Sequence, residues 1–299
     1  MAQQIETPSG KWAGDENFPV ASRLIARRLR APVMRFYAFA RAIDDIADSP
    51  ELSPDDKIAR LDAFADALSG GTNPGDPALA KAEALRKTLE ETGVTAQHGL
   101  DLVTAFKQDA VKNRYADWQE LMGYCRYSAE PVGRFLLDLH GEDRALWPFS
   151  DALCTLLQVL NHLQDCADDY RKLDRVYLPE SWLAVEGESI EALARPSASP
   201  GLRRVIDRCL GGVEELLAPA AELPRRLRDP RLAMESAAIV RLARAITKAL
   251  HRRDPLAERV ELSKPAKLAV AVRGVVSIVF ERRHGPMPAV AGQATGTPS

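Results

Sequence analysis

The segment YAFARAIDDIAD, residues 37–48, concentrates charge in a stretch that is otherwise apolar. On an α-helix, positions three or four apart share one face. This spacing places the polar residues on one stripe, which consists of Tyr37, Arg41, Asp44 or Asp45, and Asp48. Because the neighbouring stripe is apolar, the carboxylates would face a cleft or the interior, where an unpaired charge costs several kcal/mol. The segment therefore predicts a bound cation.

A second segment, QVLNHLQDCADD at 158–169, repeats this pattern. Its polar residues follow one another at intervals of three or four, and they are Gln158, Asn161, Asp165 and Asp169, with Asp168 at the edge of the stripe. Leucines occupy the adjacent helical positions. Two acidic ladders with Asp-x-x-x-Asp spacing, far apart along the chain, can therefore face each other across a helical bundle.

The residue types of the two ladders indicate which cation they would bind. Carboxylate oxygens suit hard divalent cations, and Mg²⁺ usually keeps some water and bridges carboxylates to a phosphate. The remaining helical faces are apolar and would line a cavity. A substrate with a diphosphate head and an apolar tail fits this combination, and an isoprenoid diphosphate is the obvious candidate. The alternative for either ladder is a solvated, salt-bridged helical face.

The elements that must position these residues are helices. Alanine, leucine and arginine dominate the 299 residues, and apolar residues recur at helical spacing. Ser53-Pro54-Asp55-Asp56 is typical of a helix start. Beyond the helix of the first ladder, helices are predicted near 53–68, 78–92, 95–112, 117–139, 149–171, 180–193, 202–217, 231–252 and 263–280. We expect one all-α domain over 15–281, with a flexible N-terminus at 1–14 and a disordered tail at 282–299.

Composition excludes several classes of function. A net charge of −2 provides no wide basic surface, so we expect no nucleic-acid binding. The 4 cysteines lack CxxC spacing, which favours reduced thiols and a cytoplasmic location. The first residues, MAQQIETPSGKW, are unlike a signal peptide. The 5 histidines show no zinc-ligand spacing.

The segment AVAVRGVVSIVF, residues 269–280, comes nearest to a membrane helix, but Arg273 interrupts it and the segment is too short to span a bilayer. We expect a buried terminal helix. The alternative is peripheral membrane contact, or a helix that lines an apolar cavity. His162 and Cys166, inside the second ladder, are expected to be core residues, with catalysis as the alternative for the histidine.

Three motifs resemble those of the squalene/phytoene synthase family of head-to-head isoprenoid synthases. YAFARAIDDIAD is similar to the family's first Asp-rich motif, NHLQDCADDYRKLDRVYLP to its second, and GYCRYSAEPVG to its Tyr-Cys-x-Tyr segment. The resemblance covers the chain from about Asn17 to Lys267. It implies an isoprenoid synthase-type helical bundle with a central apolar cavity, a small-molecule prenyl diphosphate substrate, and Mg²⁺ as cofactor.

The resemblance also implies roles for individual residues. The Mg²⁺ ligands would be Asp44, Asp48, Asp165 and Asp169. The catalytic residues, near the diphosphate and the cation, would be Tyr37, Arg41, Tyr124 and Asn161. The substrate-binding residues would be Asn17, Phe18, Glu130, Gln158, Arg259, Lys264 and Lys267. For the three basic residues near the C-terminus, a solvated basic face is an equal alternative.

Two departures from the family pattern bear on function. Where many members carry Ser-x-Ser-Phe, this chain has Asp15-Glu16-Asn17-Phe18, whose acids would repel a second prenyl diphosphate. Glu130 stands where other members carry a small residue. Its carboxylate would stabilise a carbocation or position a water, unless it forms an ion pair with Arg126 or Arg134.

Within the family, the segments ENFPVASRL, FARAIDDIADSP and CRYSAEPVG are most similar to the branch that makes hydroxysqualene in bacterial hopanoid pathways. That branch implies a lyase that ionises presqualene diphosphate, rearranges the carbocation and captures it with water. Two alternatives stay open. One is condensation of two prenyl diphosphates to squalene, phytoene or presqualene diphosphate. The other is a non-catalytic assembly factor of the same family.

Overall fold

The computed structural model describes residues 24–71 and 76–284, and within these ranges it is helical without β-strands. The α-helices are α1 (Arg27–Ala47), α2 (Pro54–Ser69), α3 (Ala80–Thr92), α4 (Gln97–Asp109), α5 (Trp118–Ser128), α6 (Glu130–Leu139), α7 (Trp147–Leu173), α8 (Glu180–Val185), α9 (Pro200–Arg226), α10 (Pro230–Leu250) and α11 (Lys264–His284). Short 3₁₀ turns cover Pro77–Leu79, Arg144–Leu146 and Ile190–Ala194. The all-α prediction is confirmed.

Helix α2 shows how local sequence sets the helix ends. The Ser53 hydroxyl accepts a hydrogen bond from the backbone N–H of Asp56 at 3.2 Å, and Pro54 occupies the first helical position. The helix ends at Gly70, whose φ of 84° is left-handed and favours glycine. The predicted start at Ser53 is confirmed.

Two predicted helices are divided in the structure. The predicted helix over 117–139 breaks at Ala129, which leaves the helical region with φ −122° and ψ −49°. Pro131 explains the break, because its nitrogen cannot donate to the preceding turn and its ring disfavours helical backbone before it. The predicted helix over 180–193 is the short α8 followed by a 3₁₀ turn.

Other helices extend further than predicted. Helix α9 runs to Arg226 through Pro219 and Pro224, well beyond the predicted end at 217. Helix α11 continues to His284, so residues 282–284 of the predicted tail are helical.

The core has two parts, and the ladders belong to different ones. Helices α1 to α4 form one buried apolar cluster, to which α6 adds Phe135 and Leu139. The larger cluster is built around α7, which packs against α5, α6, α9 and α10. The first ladder lies on α1 and the second on α7, so their polar stripes lie where the two clusters meet.

The terminal helix α11 is not buried as predicted. Of its residues, only Gly274 and Ile278 are buried. Gly274 permits close packing on α10, since a Cβ there would lie 2.6 Å from the Ala237 carbonyl oxygen. The outward face instead exposes four apolar residues at four-residue intervals, which are Leu268, Val272, Val276 and Phe280. None of the helices in the described part of the chain combines the length and apolar character needed to cross a bilayer.

Candidate active site

One polar cavity of about 300 Å³ carries both ladders on its walls. From α1 it is lined by Tyr37, Arg41, Asp44 and Asp48, and from α7 by Gln158, Asn161, Asp165 and Asp169. Helical spacing predicts seven of these eight residues and leaves Asp44 or Asp45 open for the eighth, and the fold brings all eight to one place. The two stripes therefore face each other.

Arginines balance the charge of these acids in the structure. Arg41 pairs with Asp44 at 2.7 Å and with the buried Asp45 at 2.8 Å, so Asp44 rather than Asp45 faces the cavity. Across the cavity, Arg259 pairs with Asp165 at 3.1 Å. Within residues 24–71 and 76–284, no three His, Cys, Asp or Glu side chains already surround a common point. A metal ion would therefore have to replace some of these ion pairs.

The acids nevertheless have the chemistry of a cation site. Burial raises the pKa of the Asp44 carboxyl to about 8, and the nearby Asp48 carboxylate adds to the shift. Burial also raises the pKa of Asp169 to about 7, with a further contribution from Asp165. Both shifts arise first from burial and second from a neighbouring carboxylate, so the ionised acids are poorly stabilised in the absence of a cation. A divalent cation with oxygen ligands would offset this excess, so the donor set suits Mg²⁺.

A second polar network, which sequence analysis misses, closes the cavity beside the first ladder. The Arg175 guanidinium donates to Asp48 Oδ1 at 2.9 Å and to the backbone carbonyl of Asp109 at 3.3 Å. The Tyr124 hydroxyl donates to Asp109 Oδ2 at 2.8 Å. Burial raises the pKa of Asp109 to about 6, although Arg175 opposes the shift. Tyr124, which is predicted to be catalytic, therefore belongs to a hydrogen-bonded network with Asp109 and Arg175. Neither of these two residues is predicted from the sequence.

Sequence signals for these residues exist but are weak. Asp109 follows Leu102 and Ala105 at helical spacing, so it is a carboxylate on an otherwise apolar face of α4. Arg175 and Tyr177 lie in RVYLP, directly after the second ladder. Tyr177 stacks on His162 with ring centroids 3.4 Å apart. These contacts depend on chain folding, which spacing does not reveal.

His162 is buried and keeps a neutral ring, as expected for a core residue. Burial lowers the pKa of His162 to about 3, and the nearby Arg175 charge lowers it further. Its ring also lines the polar cavity. Within the described part of the chain, the buried atoms His162 Nε2 and Ser128 Oγ have no hydrogen-bond partner, although both residues line this cavity. Such atoms suit a polar ligand.

An apolar cavity of about 330 Å³ adjoins the polar one. Both cavities are lined by Tyr37, Ala40 and Asn161, which form the junction between them. Phe36 and Phe135 stack at 4.0 Å in the wall of the apolar cavity, whereas Phe39 is fully buried in the core. The predicted central apolar cavity is confirmed, and it adjoins the acid-lined cavity.

The other predicted site residues lie outside the two cavities or outside the described residues. Glu130 lines neither cavity and pairs at 2.8 Å with Arg134, which also binds Asp151, so the structure favours its ion-pair interpretation. Lys264 is exposed, and Lys267 pairs with Glu261 at 3.6 Å. Asn17 and Phe18 lie outside the described residues.

The chain is similar to known proteins over most of its length. Residues 13–266 match the family model of squalene/phytoene synthase. The hydroxysqualene synthase of Zymomonas mobilis is 46% identical over 91% of each chain, and that of Rhodopseudomonas palustris is 44% identical over 95% of each. Among solved structures, a squalene synthase from Alicyclobacillus acidocaldarius superposes with a TM-score of 0.68 at 32% identity, covering 78% of this chain and 87% of that one.

Proposed function

Because the chain belongs to the squalene/phytoene synthase family, we propose that it is a hydroxysqualene synthase that acts on presqualene diphosphate. The proposal rests on one geometric feature, which is the junction of the acid-lined cavity with the apolar cavity at Tyr37 and Asn161. A diphosphate in the first cavity and a hydrocarbon in the second would place the bond between them at this junction. The names of the two relatives support hydroxysqualene as the product.

Four residues would hold Mg²⁺, namely Asp44, Asp48, Asp165 and Asp169. When bound, Mg²⁺ supplies positive charge that stabilises the leaving diphosphate. Arg41, Arg175 and Arg259 pair with these acids, and a bound cation would free part of each guanidinium. Each guanidinium is thereby placed to donate to diphosphate oxygens, for which its planar geometry is well suited.

The reaction begins when the C–O bond to diphosphate breaks and its electron pair leaves with the diphosphate. Tyr37 and Asn161, at the junction, present an aromatic ring and an amide dipole to the carbon that becomes positive. The apolar wall around Phe36 keeps water away while the cyclopropylcarbinyl cation rearranges. Water then forms a C–O bond with the allylic cation and loses a proton, which gives hydroxysqualene.

Substrate discrimination tests the proposal. Purified protein with Mg²⁺ is incubated either with presqualene diphosphate or with farnesyl diphosphate alone, and the extracts are examined by mass spectrometry. We expect hydroxysqualene from presqualene diphosphate and no product from farnesyl diphosphate. A coupled product from farnesyl diphosphate alone would reject the proposal in favour of condensation.

Condensation of two prenyl diphosphates is the second candidate, because the solved structure that is 32% identical to this chain is that of a squalene synthase. The acids Asp15 and Glu16 would oppose the binding of a second diphosphate near them. The same incubation decides between the two reactions.

We also propose that α11 rests on a membrane that carries anionic lipid. Its outward apolar stripe includes Val276 and Phe280, which are 61% and 64% exposed, and the exposed basic residues Arg273 and Arg283 lie on the same helix. Sedimentation with phosphatidylglycerol vesicles tests this contact. The double variant V276S/F280S should bind less than the wild type, whereas V185S, which alters an exposed apolar residue on α8, should bind equally. Equal binding by all three proteins would reject the contact.

A further inference from the structure

The apolar cavity contains a carboxylate that the reaction described above does not use. Among the described residues that line this cavity, Glu235 is the only one with a carboxyl side chain, and the residue is 3% exposed. It lies on α10 within a stripe that faces the cavity, and the stripe consists of Leu232, Glu235, Ser236 and Ile239. Two neighbouring positions of an inward-facing stripe are thus polar.

This placement is unfavourable for folding alone. A carboxylate is often less stabilising in a core than an apolar side chain of similar size even when it has a partner, and the apolar residues Leu232 and Ile239 lie one turn away on either side. Glu235 also differs from the acids of the two ladders, because it lines only the apolar cavity and not the polar one. Its role therefore concerns the hydrocarbon part of the substrate and not the diphosphate.

The pair formed by Glu235 and Ser236 has the composition of a water site. A water molecule held inside a cavity needs two or more polar partners, and the rest of this wall is mainly apolar. A carboxylate can accept a hydrogen bond from such a water, and a serine hydroxyl can donate or accept one. A negative charge in an apolar wall also attracts a carbocation, because the local dielectric constant is low.

We propose that Glu235 and Ser236 hold the water that captures the rearranged carbocation, and that Glu235 accepts the proton released. The inference rests on the proposed function and adds the catalytic base to it. In the capture step, the water oxygen forms a bond to the cationic carbon and one of its O–H bonds breaks. The electron pair of that bond stays on oxygen, and the proton moves to the Glu235 carboxylate, from which it later passes to solvent.

The variant Glu235→Gln tests the step by separating ionisation from water capture. Presqualene diphosphate is supplied with Mg²⁺ in ¹⁸O-labelled water, and both diphosphate release and the labelled alcohol are measured. Diphosphate release should fall much less than alcohol formation, because the acids of the polar cavity are unchanged. Alcohol formation should fall by about 10²-fold, the usual contribution of a general base, and hydrocarbon products should take its place.

Two further variants make the result decisive. Glu142→Gln alters another buried carboxylate, which accepts hydrogen bonds from the backbone N–H groups of Arg228 and Asp229 away from the cavity, and it should leave the ratio of alcohol to hydrocarbon unchanged. Glu235→Met keeps the side-chain volume without a charge, and it should fold and give hydrocarbon.

Three outcomes are distinguishable. Hydroxysqualene at an unchanged rate and ratio from Glu235→Gln would overturn the role of Glu235 while leaving the proposed function intact. Failure of both Glu235 variants to fold would show that the carboxylate is structural and would also overturn it. If the wild type consumes no presqualene diphosphate, the proposed function itself fails.

Discussion

The two cavities that meet at Tyr37 and Asn161 have similar volumes, about 300 and 330 Å³, but opposite chemistry. The polar cavity is held by ion pairs between distant segments, such as Arg175 with Asp48 at 2.9 Å. The apolar cavity is shaped by the packing of α1, α6, α7 and α10, whose side chains form its wall. We therefore expect substitutions in the polar cavity to act through its charge balance, and substitutions in the apolar cavity to act through side-chain volume.

This difference separates the effects of substitution. Removing surplus negative charge from the polar cavity should harm turnover but spare the fold, whereas removing its positive charge should harm the fold. In the apolar cavity, a change of volume should alter packing first. Four experiments test this contrast, and they follow from the largest expected effect to the smallest.

The largest effect is expected for the ladder aspartates. Asp44→Asn or Asp169→Asn should lower kcat by about 10³-fold, because each removes a charged group that supports the leaving diphosphate. The melting temperature should not fall, since burial already raises the pKa of both carboxyls. Steady-state kinetics and thermal unfolding measure the two quantities.

Asp168→Asn is the matched control, because Asp168 is adjacent to Asp169 in sequence but its side chain is 55% exposed and pairs with Lys172. This variant should keep the wild-type rate. A near-native rate in Asp44→Asn or Asp169→Asn would show that the metal role assigned to the ladders is wrong.

The next effect concerns Arg175, whose side chain is 7% exposed. Arg175→Ala leaves the buried Asp109 and the cavity-facing Asp48 without their cation, so the free energy of unfolding should fall by about 3–5 kcal/mol. Urea denaturation measures this change.

Lys172→Ala is the control, because it removes an exposed ion pair on the outer side of α7. It should change the free energy of unfolding by less than about 1 kcal/mol. If both variants lost equally little free energy of unfolding, the expected difference between the buried and the exposed ion pair would be wrong.

A smaller effect is expected in the wall of the apolar cavity. A Cβ on Gly133 would overlap Ser150 Oγ and would lie 2.7 Å from Cys154 Sγ, so the side chains of Ser150 and Cys154 would have to move. Gly133→Ala should therefore destabilise the protein by about 1–3 kcal/mol in the same urea experiment. Gly211→Ala is the control, since a Cβ there meets nothing within 4 Å, and it should stabilise α9 by about 0.5–1 kcal/mol. Stabilisation by both variants would show that the wall is not tightly packed.

The smallest effect is a pH dependence of stability in the absence of metal. The folded-state pKa of Asp44 is about 8, against 3.8 in the unfolded chain, so the folded state binds more protons between these values and stability falls as pH rises. Above the ordinary histidine pKa of 6.5, the buried His98 and His162 are neutral in both states and do not oppose this trend.

The melting temperature of the wild type should therefore decrease from about pH 6.5 to about pH 8.5, and Asp44→Asn should show a smaller decrease. A melting temperature that rises over this range, or equal slopes for the two proteins, would show that Asp44 keeps an ordinary pKa.

The parts of the site that sequence predicts are those encoded within one helix. Tyr37, Arg41 and Asp48 can be assigned to one face because helical spacing is a local property, although spacing leaves Asp44 or Asp45 open as the fourth member. The same holds for Gln158, Asn161, Asp165 and Asp169. Proline and N-cap residues likewise fix helix ends, as at Ser53 and Pro54.

The parts that sequence does not predict depend on distant contacts. Arg175 reaches Asp48 across the cavity, and no local pattern pairs a residue after α7 with one on α1. Arg134 is a further example: its pair with Glu130, four residues away on α6, is local, whereas its second pair, with Asp151, depends on how α6 packs against α7. The burial of α11 could not be predicted either, since its apolar residues occur on more than one face and only packing on α10 decides which face is covered.

The most direct test is the thermal stability of the wild type in four conditions, which are buffer, Mg²⁺, inorganic pyrophosphate, and both ligands together. If the two ladders bind one metal–diphosphate cluster, both ligands together should raise the melting temperature by more than the sum of their separate effects. A purely additive rise, or no rise at all, would contradict a shared site for Mg²⁺ and diphosphate between α1 and α7.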